Sequence, residues 1–305
     1  MSERRLIDWL RRRIKLPPCV EVGPGDDAAV IRPAAGSRIV VTTDAFLAGT
    51  HFAADASAAR IGHKVIAASV SDIAAMGCYP LASFVTLGLA RSFGESFVLE
   101  LGEAMIAAAE KYDAPIAGGD ITSWTGPLSV TVTVVGETRG LDPVLRSGAK
   151  PGDRIFVTGA LGGSLVGRHL DAPPRVREGI FLNAEIGASA MIDISDGLST
   201  DLNHIADESG VGAVVSEAAV PVSEDARELS RGDGLPALRH ALNDGEDFEL
   251  LFTVPPEKAA RLRQAWPFDL AVTEIGEMGG REVVLEHADG SRERLEPRGY
   301  EHRWK

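Results

Sequence analysis

The sequence predicts an α/β (α+β) protein of two domains. Residues 1–140 form an N-terminal half of a sheet and helices, and residues 141–305 form a C-terminal α/β sandwich half. Three observations lead to this fold class. The 305 residues are 45% hydrophobic, which is enough for two separate cores. Strand-like and helix-like segments are mixed without strict alternation. A stretch dense in turn formers, RSGAKPGD at 146–153, separates the halves.

The N-terminal half is predicted to contain four strands and two long helices after a first, basic helix. A β-branched run with a polar tip predicts a strand over 38–44, and apolar residues at helical spacing predict a helix over 57–76 that stops at Gly77. The other elements follow in chain order: a strand over 81–89, a helix over 95–112, a strand over 114–117 before Gly-Gly-Asp, and a strand over 128–137. Strands and helices are not evenly interleaved here, which is typical of an α+β half.

The C-terminal half alternates shorter elements. A strand over 155–158 leads into a glycine-rich turn, 159–164, that is predicted to open a helix. A strand over 190–193 runs into a helix over 198–208 that ends at Gly210. Later strands are expected over 248–254 and 282–286. The sequence has no short-period repeat and no low-complexity tract, which excludes a solenoid.

Charge and composition narrow the class of partner. The formal net charge is −13, which argues against nucleic acid or an anionic membrane as the main partner and favours divalent cations. No apolar run is long enough to span a bilayer, and charges interrupt the N-terminus, so we expect a cytoplasmic protein. Cys19 and Cys78 form no zinc-type spacing, and we interpret them as reduced core or near-core thiols.

Asp72 is the first residue that suggests a function. In the predicted helix, Ile61, Val65 and Ala68 form an apolar stripe that continues onto Asp72 and Met76, so Asp72 is expected on the buried side. An ionised carboxylate there costs roughly several kcal/mol unless a cation or hydrogen-bond donors compensate it. The alternatives are a side chain bonded to a neighbouring amide, or a stripe that is rotated slightly.

Asp72 belongs to a set of aspartates at strand ends, glycine turns and helix starts. The set consists of Asp26, Asp27, Asp44, Asp72, Asp120, Asp193 and Asp196. Any one of them could be a cap or turn residue. Carboxylates brought together repel each other, and magnesium relieves that repulsion while taking only one or two carboxylates per ion beside substrate phosphates. The set therefore predicts several magnesium ions and phosphate-rich substrates. Zinc is disfavoured because the histidines lack ligand spacing.

The common phosphate-binding motifs are absent. The sequence has neither a Gly-Lys pair for a Walker loop nor a G-x-G-x-x-G after a strand, so an ATP site would be of another type. Ser195 lies between a strand and a helix, where its hydroxyl and free helix amides can face an anion; the alternative is an ordinary N-cap. We interpret the glycine-rich turn at 159–164 as structural.

Seven motifs, in order along nearly the whole chain, resemble the thiamine-monophosphate kinase family. They are GDDAAV at 25–30, TTDAFLAGTHF at 42–52, SDIAAMG at 71–77, GGD at 118–120, RSGAKPGD at 146–153, DISDGL at 193–198 and GEDFEL at 245–250. The wider superfamily includes aminoimidazole ribonucleotide synthetase, selenophosphate synthetase and a hydrogenase-maturation enzyme. Within it, the histidine-containing second motif together with GEDFEL points to the thiamine branch.

The resemblance implies direct, magnesium-assisted transfer of the ATP γ-phosphoryl group to thiamine monophosphate, giving thiamine diphosphate and ADP. No general base is expected, since the acceptor phosphate is already largely deprotonated. The family fold also implies a homodimer formed through the N-terminal sheet, with ATP bound between the halves.

Carried over residue by residue, the resemblance also implies the site. The metal ligands would be Asp27, Thr42, Thr43, Asp44, Asp72, Asp120 and Asp193, with Asp196 on a further ion. ATP would meet Tyr112, Gly119, Asp120, Arg146 and Ser195. The thiamine substrate would meet His51, Glu246 and Tyr300. A flat cationic ligand suits the Glu246 carboxylate and an aromatic ring, although Tyr300 could instead be an exposed aromatic without a ligand.

Two departures and two alternatives accompany the resemblance. The chain reads DAPPR at 171–175 where the family commonly has Arg-Pro-x-Pro-Arg, and Asn243-Asp244-Gly245 stands where a Gly-Gly pair is usual before Glu-Asp. One alternative is an ATP-dependent cyclisation of a ribonucleotide on the same fold. The other is a non-catalytic nucleotide- or metal-binding paralogue, which a missing metal aspartate would suggest; none is missing.

Overall fold

The structure is a computed structural model that describes residues 3–24 and 28–300. The described chain forms two compact units. The first comprises residues up to Ile73, Cys78–Asp142 and Leu170–Val176, and the second comprises Ala74–Gly77, Pro143–His169 and the chain from Arg177 onward. The predicted two-domain α/β fold is confirmed.

The helices and strands are numbered in chain order. The helices are α1 Glu3–Arg13, α2 Ala58–Ala75, α3 Glu95–Lys111, α4 Val176–Phe181, α5 Leu198–Ser209, α6 Glu224–Asp233, α7 Ala237–Asn243 and α8 Pro256–Ala265. The strands are β1 Val20–Val22, β2 Val30–Ile31, β3 Ile39–Leu47, β4 Tyr79–Ala90, β5 Ile116–Trp124, β6 Ser129–Glu137, β7 Arg154–Thr158, β8 Ala190–Asp193, β9 Ala213–Ser216, β10 Leu250–Val254, β11 Val272–Met278, β12 Val283–Glu286 and β13 Arg292–Arg294. Among the described helices, none combines the length and apolarity that crossing a membrane requires.

The first unit is built on a four-stranded mixed sheet in the order β3-β6-β4-β5, beside a small β1-β2 hairpin. Strand β6 is antiparallel to β3 and β4, and β4 is parallel to β5. Val130, Val132 and Val134 alternate on one face of β6 and are fully buried. Helix α2 lies on this face, since a side chain on Gly136 of β6 would meet Ile73. The covered face holds the core of the unit.

The opposite face of the same sheet carries no helix of this unit in the described chain. On β3, Ile39, Val41 and Leu47 are exposed, Val41 by 60%, and Trp124 at the end of β5 is exposed as well. The face is lined between these residues by threonines such as Thr43 and Thr133, whose hydroxyl oxygens are 2.9 Å apart. One solvated face is common in a largely antiparallel sheet, but several exposed large apolar side chains on such a face are typical of a surface that associates.

The second unit is built on a seven-stranded sheet in the order β13-β12-β9-β11-β7-β10-β8, in which β12 and β9 are the parallel pair. Each face has its own core. Leu198, Leu202 and Ile205 of α5 pack in one core, and Leu262 of α8 packs with the stacked rings of Phe156 and Phe252 in the other. Helices therefore cover both faces, as a sandwich requires.

Two predicted elements differ from the structure. The strand predicted to end at residue 117 continues as β5 through Gly118-Gly119-Asp120, because it pairs in parallel with β4 along its whole length. The helix predicted after 159–164 is only a 3₁₀ turn, Ser164–Val166. The preceding Gly162 and Gly163 have φ values of +86° and +76°, which do not continue into a helix.

Both cysteines are free thiols, as expected: Cys78 is buried and Cys19 is partly buried. Burial raises the pKa of the Cys78 thiol from 9.0 to about 11, with the nearby Arg38 charge opposing the shift. Cys78 therefore remains a protonated core residue at neutral pH.

Replacing Thr253 with valine is expected to stabilise the protein by about 1 kcal/mol. Thr253 lies on β10 with no exposed surface, and its hydroxyl has no hydrogen-bond partner among the described residues. Urea unfolding measures the change. The matched control is Thr158→Val on β7, because the Thr158 hydroxyl donates to Glu249 (2.6 Å) and accepts from the Leu250 amide (2.9 Å). The control should lose stability, and equal signs for the two variants would contradict the prediction.

Candidate active site

In the first unit, Asp72 and Thr42 form a close polar pair. Asp72 lies in the last turn of α2, and its Oδ2 accepts a hydrogen bond of 2.5 Å from the Thr42 hydroxyl on β3. Asp72 is half-buried, so it lies at the edge of the core rather than within it. A carboxylate at the C-terminal end of a helix is disfavoured by the helix dipole. Helix stability therefore does not explain its position, and the Thr42 hydroxyl is the partner that the structure shows for it.

Asp44 lies on the same face of β3 as Thr42, and Thr43 lies on the opposite face. Asp44 follows Thr42 by two residues on β3, so both side chains project from the same face of the strand. Thr43 projects from the opposite face, toward Thr133. The structure thus joins Thr42 to Asp72 and places Asp44 on the same face of β3 as Thr42. The role of Thr43 as a metal ligand stays a prediction.

Gly119 and Asp120 lie on β5, the edge strand of the sheet. In the β4-β5 register, Asp120 is opposite Thr86 and is exposed. Next to Gly119 and Asp120 is a cleft of about 600 Å³ between α1 and the sheet. Asp27 lies outside the described residues, but Pro24 and Ala28 on either side of that segment line the same cleft.

The remaining predicted residues of the first unit are His51 and Tyr112. The Nδ1 atom of His51 accepts a hydrogen bond of 3.0 Å from the Leu47 amide, so the neutral imidazole carries its proton on Nε2. Tyr112 follows α3 and is nearly buried, with its hydroxyl 2.8 Å from Nε2 of His63. Their roles toward substrate and ATP stay predictions.

In the second unit, the turn between β8 and α5 gathers acidic residues, including one that sequence reasoning missed. Asp193 ends β8, and Asp196 lies in the turn. Asp201, on the first turns of α5, is 1% exposed, and its Oδ2 accepts a hydrogen bond of 3.1 Å from the Asp196 amide. Ligand atoms of Asp196, Asp201 and His204 lie within 4.8 Å of one another. The i, i+3 spacing of Asp201 and His204 on one helix was the available signal.

The electrostatics of this turn fit a divalent cation. Burial raises the pKa of the Asp201 carboxyl well above its ordinary value, and the neighbouring Asp193 and Asp196 carboxylates raise it further. The Asp196 amide and the Arg146 guanidinium oppose the shift. Several carboxylates that disfavour one another's ionisation form the oxygen-rich donor set that magnesium prefers.

The backbone of the same turn holds two predicted substrate residues. The Glu246 amide donates to the Ser195 carbonyl at 2.8 Å, and the Tyr300 amide donates to the next carbonyl, that of Asp196, at 3.1 Å. The Tyr300 side chain is 50% exposed. Helix α5 is capped by Gly197 without a side-chain bond, so the alternative that Ser195 is its N-cap is wrong. Predicted ATP, metal and substrate residues therefore meet at one turn.

The glycine-rich turn at 159–164 is held by carboxylates of the chain itself. The Gly162 amide donates to Asp247 at 2.8 Å, and the Gly163 amide donates to Asp244 at 3.0 Å. Asp247 also accepts from the Ser164 hydroxyl and from Arg168, the latter at 3.0 Å. These amides face protein carboxylates, which confirms the structural interpretation of the turn.

The two departures from the family pattern have local partners. The Asp171 carboxylate, which stands where the family commonly has arginine, accepts two hydrogen bonds from Arg60 on α2, at 3.2 and 2.5 Å. In the segment 243–245, which stands where a Gly-Gly pair is usual, Asn243 accepts a hydrogen bond of 2.9 Å from the Ser199 hydroxyl and Asp244 accepts one of 3.0 Å from the Gly163 amide. Both substitutions therefore make contacts within their own units.

The stability of the protein is expected to depend on the ionisation of Asp247. Burial raises the pKa of the Asp247 carboxyl from 3.8 to about 6, although Ser164, Gly162 and Arg168 oppose the shift. The folded state therefore binds this proton more tightly than the unfolded state. Its stabilising contribution is complete below pH about 3.8 and is lost as the pH rises through about 6, a loss of about 3 kcal/mol.

Urea unfolding of wild type and Asp247→Asn between pH about 3.5 and 7 isolates this effect. The stability advantage of wild type over the variant should shrink by about 3 kcal/mol as the pH rises. Asp142→Asn, at an exposed residue paired with Arg38, controls for general effects of acid. A difference that grows with pH would contradict the assignment.

Comparisons with known proteins agree with this geometry. Residues 25–138 match the AIR synthase related protein, N-terminal domain, and residues 150–287 match the AIR synthase related protein, C-terminal domain. The thiamine-monophosphate kinase of Rhodopirellula baltica is 41% identical over 309 residues, which cover 98% of this chain and 97% of that protein.

Solved structures of thiamine-monophosphate kinases are also similar to this chain. The thiamine-monophosphate kinase of Stenotrophomonas maltophilia K279a is 36% identical, with a TM-score of 0.82 over 95% of this chain and 98% of that chain. The protein AaThiL, complexed with AMPPCP and TMP, is 29% identical, with a TM-score of 0.78 over 99% of this chain and 97% of that chain.

Proposed function

Because this chain belongs to the thiamine-monophosphate kinase family, we propose that it transfers the γ-phosphoryl group of ATP to thiamine monophosphate, giving thiamine diphosphate and ADP. The observation that carries the proposal is the turn at Ser195-Asp196. Its two carbonyls accept hydrogen bonds from the Glu246 and Tyr300 amides, and the Asp196 side chain belongs to an acidic cluster with Asp201. A relative solved with an ATP analogue and TMP supports the substrate pair.

The acidic clusters would hold magnesium ions. In the first unit the ligands are Thr42, Asp44 and Asp72, and in the second they are Asp193, Asp196 and Asp201. Bound magnesium neutralises phosphate charge, which lowers the repulsion between two anionic substrates. We also place Asp27, Thr43 and Asp120 in the metal set, on the family pattern.

The side chains of the protein position the substrates rather than form a covalent intermediate. Arg146, whose charge acts on Asp201, is suited to binding ATP phosphate, and Ser195 is the ATP residue that adjoins Asp196 in the turn. Tyr112 and Gly119 complete the ATP residues that the family implies. Since the acceptor phosphate is an anion already, no general base is needed.

The thiamine substrate is recognised by charge and by stacking. Glu246 offers a carboxylate to the positively charged thiazolium, and the half-exposed Tyr300 ring offers a stacking surface. His51 is the third substrate residue, on the family pattern. A flat cation would therefore be bound by an anionic group and an aromatic ring from two residues whose backbones bond to the same turn.

We further propose a homodimer that forms through the open face of the β3-β6-β4-β5 sheet. The exposed Ile39, Val41, Leu47 and Trp124 on this face support its burial against a second copy of the chain. Light scattering should give a mass of about twice 32.3 kDa. A monomer at micromolar concentration would contradict the proposal.

ATP is a cytoplasmic metabolite, and we place the reaction in the cytoplasm.

The test of function is product analysis. The protein is incubated with ATP, magnesium and thiamine monophosphate, beside a control with free thiamine, and the products are separated by chromatography. We expect thiamine diphosphate and ADP in equal amounts, and only from the monophosphate. Intact ATP, or ADP without thiamine diphosphate, would reject the substrate assignment.

A further inference from the structure

The first turns of α5 hold the segment 295–300, which brings Tyr300 to the site. Three side chains of α5 bond to the backbone of this segment. Asn203 donates to the Leu295 carbonyl at 3.0 Å, the Ser199 hydroxyl accepts from the Arg298 amide at 3.3 Å, and the Thr200 hydroxyl accepts from the Gly299 amide at 3.0 Å. The Tyr300 amide then reaches the Asp196 carbonyl.

The same helix turn also fixes the loop before Glu246. The Ser199 hydroxyl donates to Asn243 at 2.9 Å, and the Glu246 amide bonds to the Ser195 carbonyl. The two predicted thiamine-binding residues, far apart in sequence, therefore take their positions from one short stretch, residues 195–200. Thr200 contributes the bond adjacent to Tyr300.

The backbone at Gly299 lies so close to the 196–200 turn that no side chain fits between them. A side-chain carbon on Gly299 would lie 1.7 Å from the Asp196 carbonyl oxygen and 2.6 Å from the Thr200 hydroxyl oxygen. The first distance is to a backbone atom, so the segment itself would have to move. Close approach of two backbones with this geometry aligns Tyr300 with the turn that carries Asp196.

We propose that Thr200 is a positioning residue that sets the affinity for thiamine monophosphate by fixing Tyr300 against the Ser195-Asp196 turn. The inference rests on the proposed function, because it names thiamine monophosphate as the ligand that Tyr300 contacts. It assigns to Thr200 no contact with substrate, metal or ATP. Loss of the Thr200 hydroxyl should therefore raise the KM for thiamine monophosphate and leave the KM for ATP unchanged.

The experiment uses Thr200→Val, which keeps the shape of the side chain and removes the acceptor for the Gly299 amide. We expect the KM for thiamine monophosphate to rise about tenfold, as the loss of one hydrogen bond allows, with the KM for ATP within about twofold of wild type. Thr200→Ser keeps the hydroxyl and should restore the wild-type KM. Thr253→Val is the matched control for the same chemical change away from the site, and should leave both KM values unchanged.

A second readout does not depend on activity. Hydrogen exchange of the peptide containing Gly299 and Tyr300 should be faster in Thr200→Val than in wild type and in Thr200→Ser. Gly299→Ala tests the contact from the other side and should produce the same KM split with a larger change.

The outcomes separate the two proposals. Wild-type protein that makes no thiamine diphosphate overturns the proposed function and the ligand assigned to Tyr300. Active wild type with an unchanged KM for thiamine monophosphate in Thr200→Val, or with equal rises in both KM values, overturns the role of Thr200 alone. Unchanged exchange in the valine variant overturns the docking by Thr200 whatever the activity.

Discussion

Asp72→Asn is expected to lower kcat/KM for thiamine monophosphate phosphorylation by at least about 100-fold while leaving the protein folded. The substitution keeps the shape of the side chain and an acceptor for the Thr42 hydroxyl, but it removes a negative charge from the group of Thr42, Asp44 and Asp72. A magnesium ion held by these residues would lose one of its ligand charges. Activity should fall because phosphoryl transfer depends on positioned positive charge.

The stability of Asp72→Asn should stay equal or rise while its activity falls, and this distinguishes a metal role of Asp72 from a structural one. Asp72 lies at the C-terminal end of α2, where a negative charge is repelled by the helix dipole. Removing the carboxylate should therefore raise the free energy of unfolding by about 0.3–1 kcal/mol. Urea unfolding should therefore show equal or higher stability for the variant. Asp55→Asn, at an exposed aspartate before α2, is the control and should leave both quantities unchanged. Near-wild-type turnover at saturating magnesium would reject the metal role of Asp72.

Local patterns in the sequence predicted α2 and the part of the site that depends on it. The apolar stripe through Ile61, Val65 and Ala68 determines which side of the helix Asp72 occupies, and helical periodicity is visible in the sequence. The partner of Asp72 was not predictable in the same way. Thr42 is 30 residues away, and only the position of β3 relative to α2 brings its hydroxyl to Asp72.

Residues whose role depends on distant contacts were missed or placed differently. Asp201 resembles a solvated helix residue in sequence, and it is buried because the 193–196 turn folds over it. Asp120 was expected after a strand end, whereas pairing with β4 continues the strand through it. The contact between Thr200 and Gly299 joins residues 99 positions apart, and no local pattern reports such a contact.

Gly119→Ala is expected to have the largest effect on stability, about 4 kcal/mol, and to raise the KM for ATP. Gly119 has a φ of +151° and lies on β5 opposite Val85 of β4. A side-chain carbon there would lie 1.9 Å from the Val85 carbonyl oxygen, with the Val85 carbonyl carbon and amide nitrogen at 2.8 and 3.0 Å. All three are backbone atoms, so β4 and β5 would have to separate locally. The cost combines backbone strain of about 1–3 kcal/mol with overpacking of about 1–3 kcal/mol.

Gly140→Ala separates these two costs. Gly140 has a φ of +83°, but among the described residues beyond its two chain neighbours no atom lies within 4 Å of the position that an added side-chain carbon would take, so alanine there costs only the backbone strain, about 1 kcal/mol. Urea unfolding of both variants gives the two values side by side. If Gly119→Ala costs no more than Gly140→Ala, then the close approach to Val85 does not constrain β5. Suppose instead that Gly119→Ala costs several times more than Gly140→Ala and also raises the KM for ATP. The role of Gly119 in the GGD motif is then to let the β5 backbone lie close to Val85 of β4. This close approach places the Asp120 carboxylate beside the cleft.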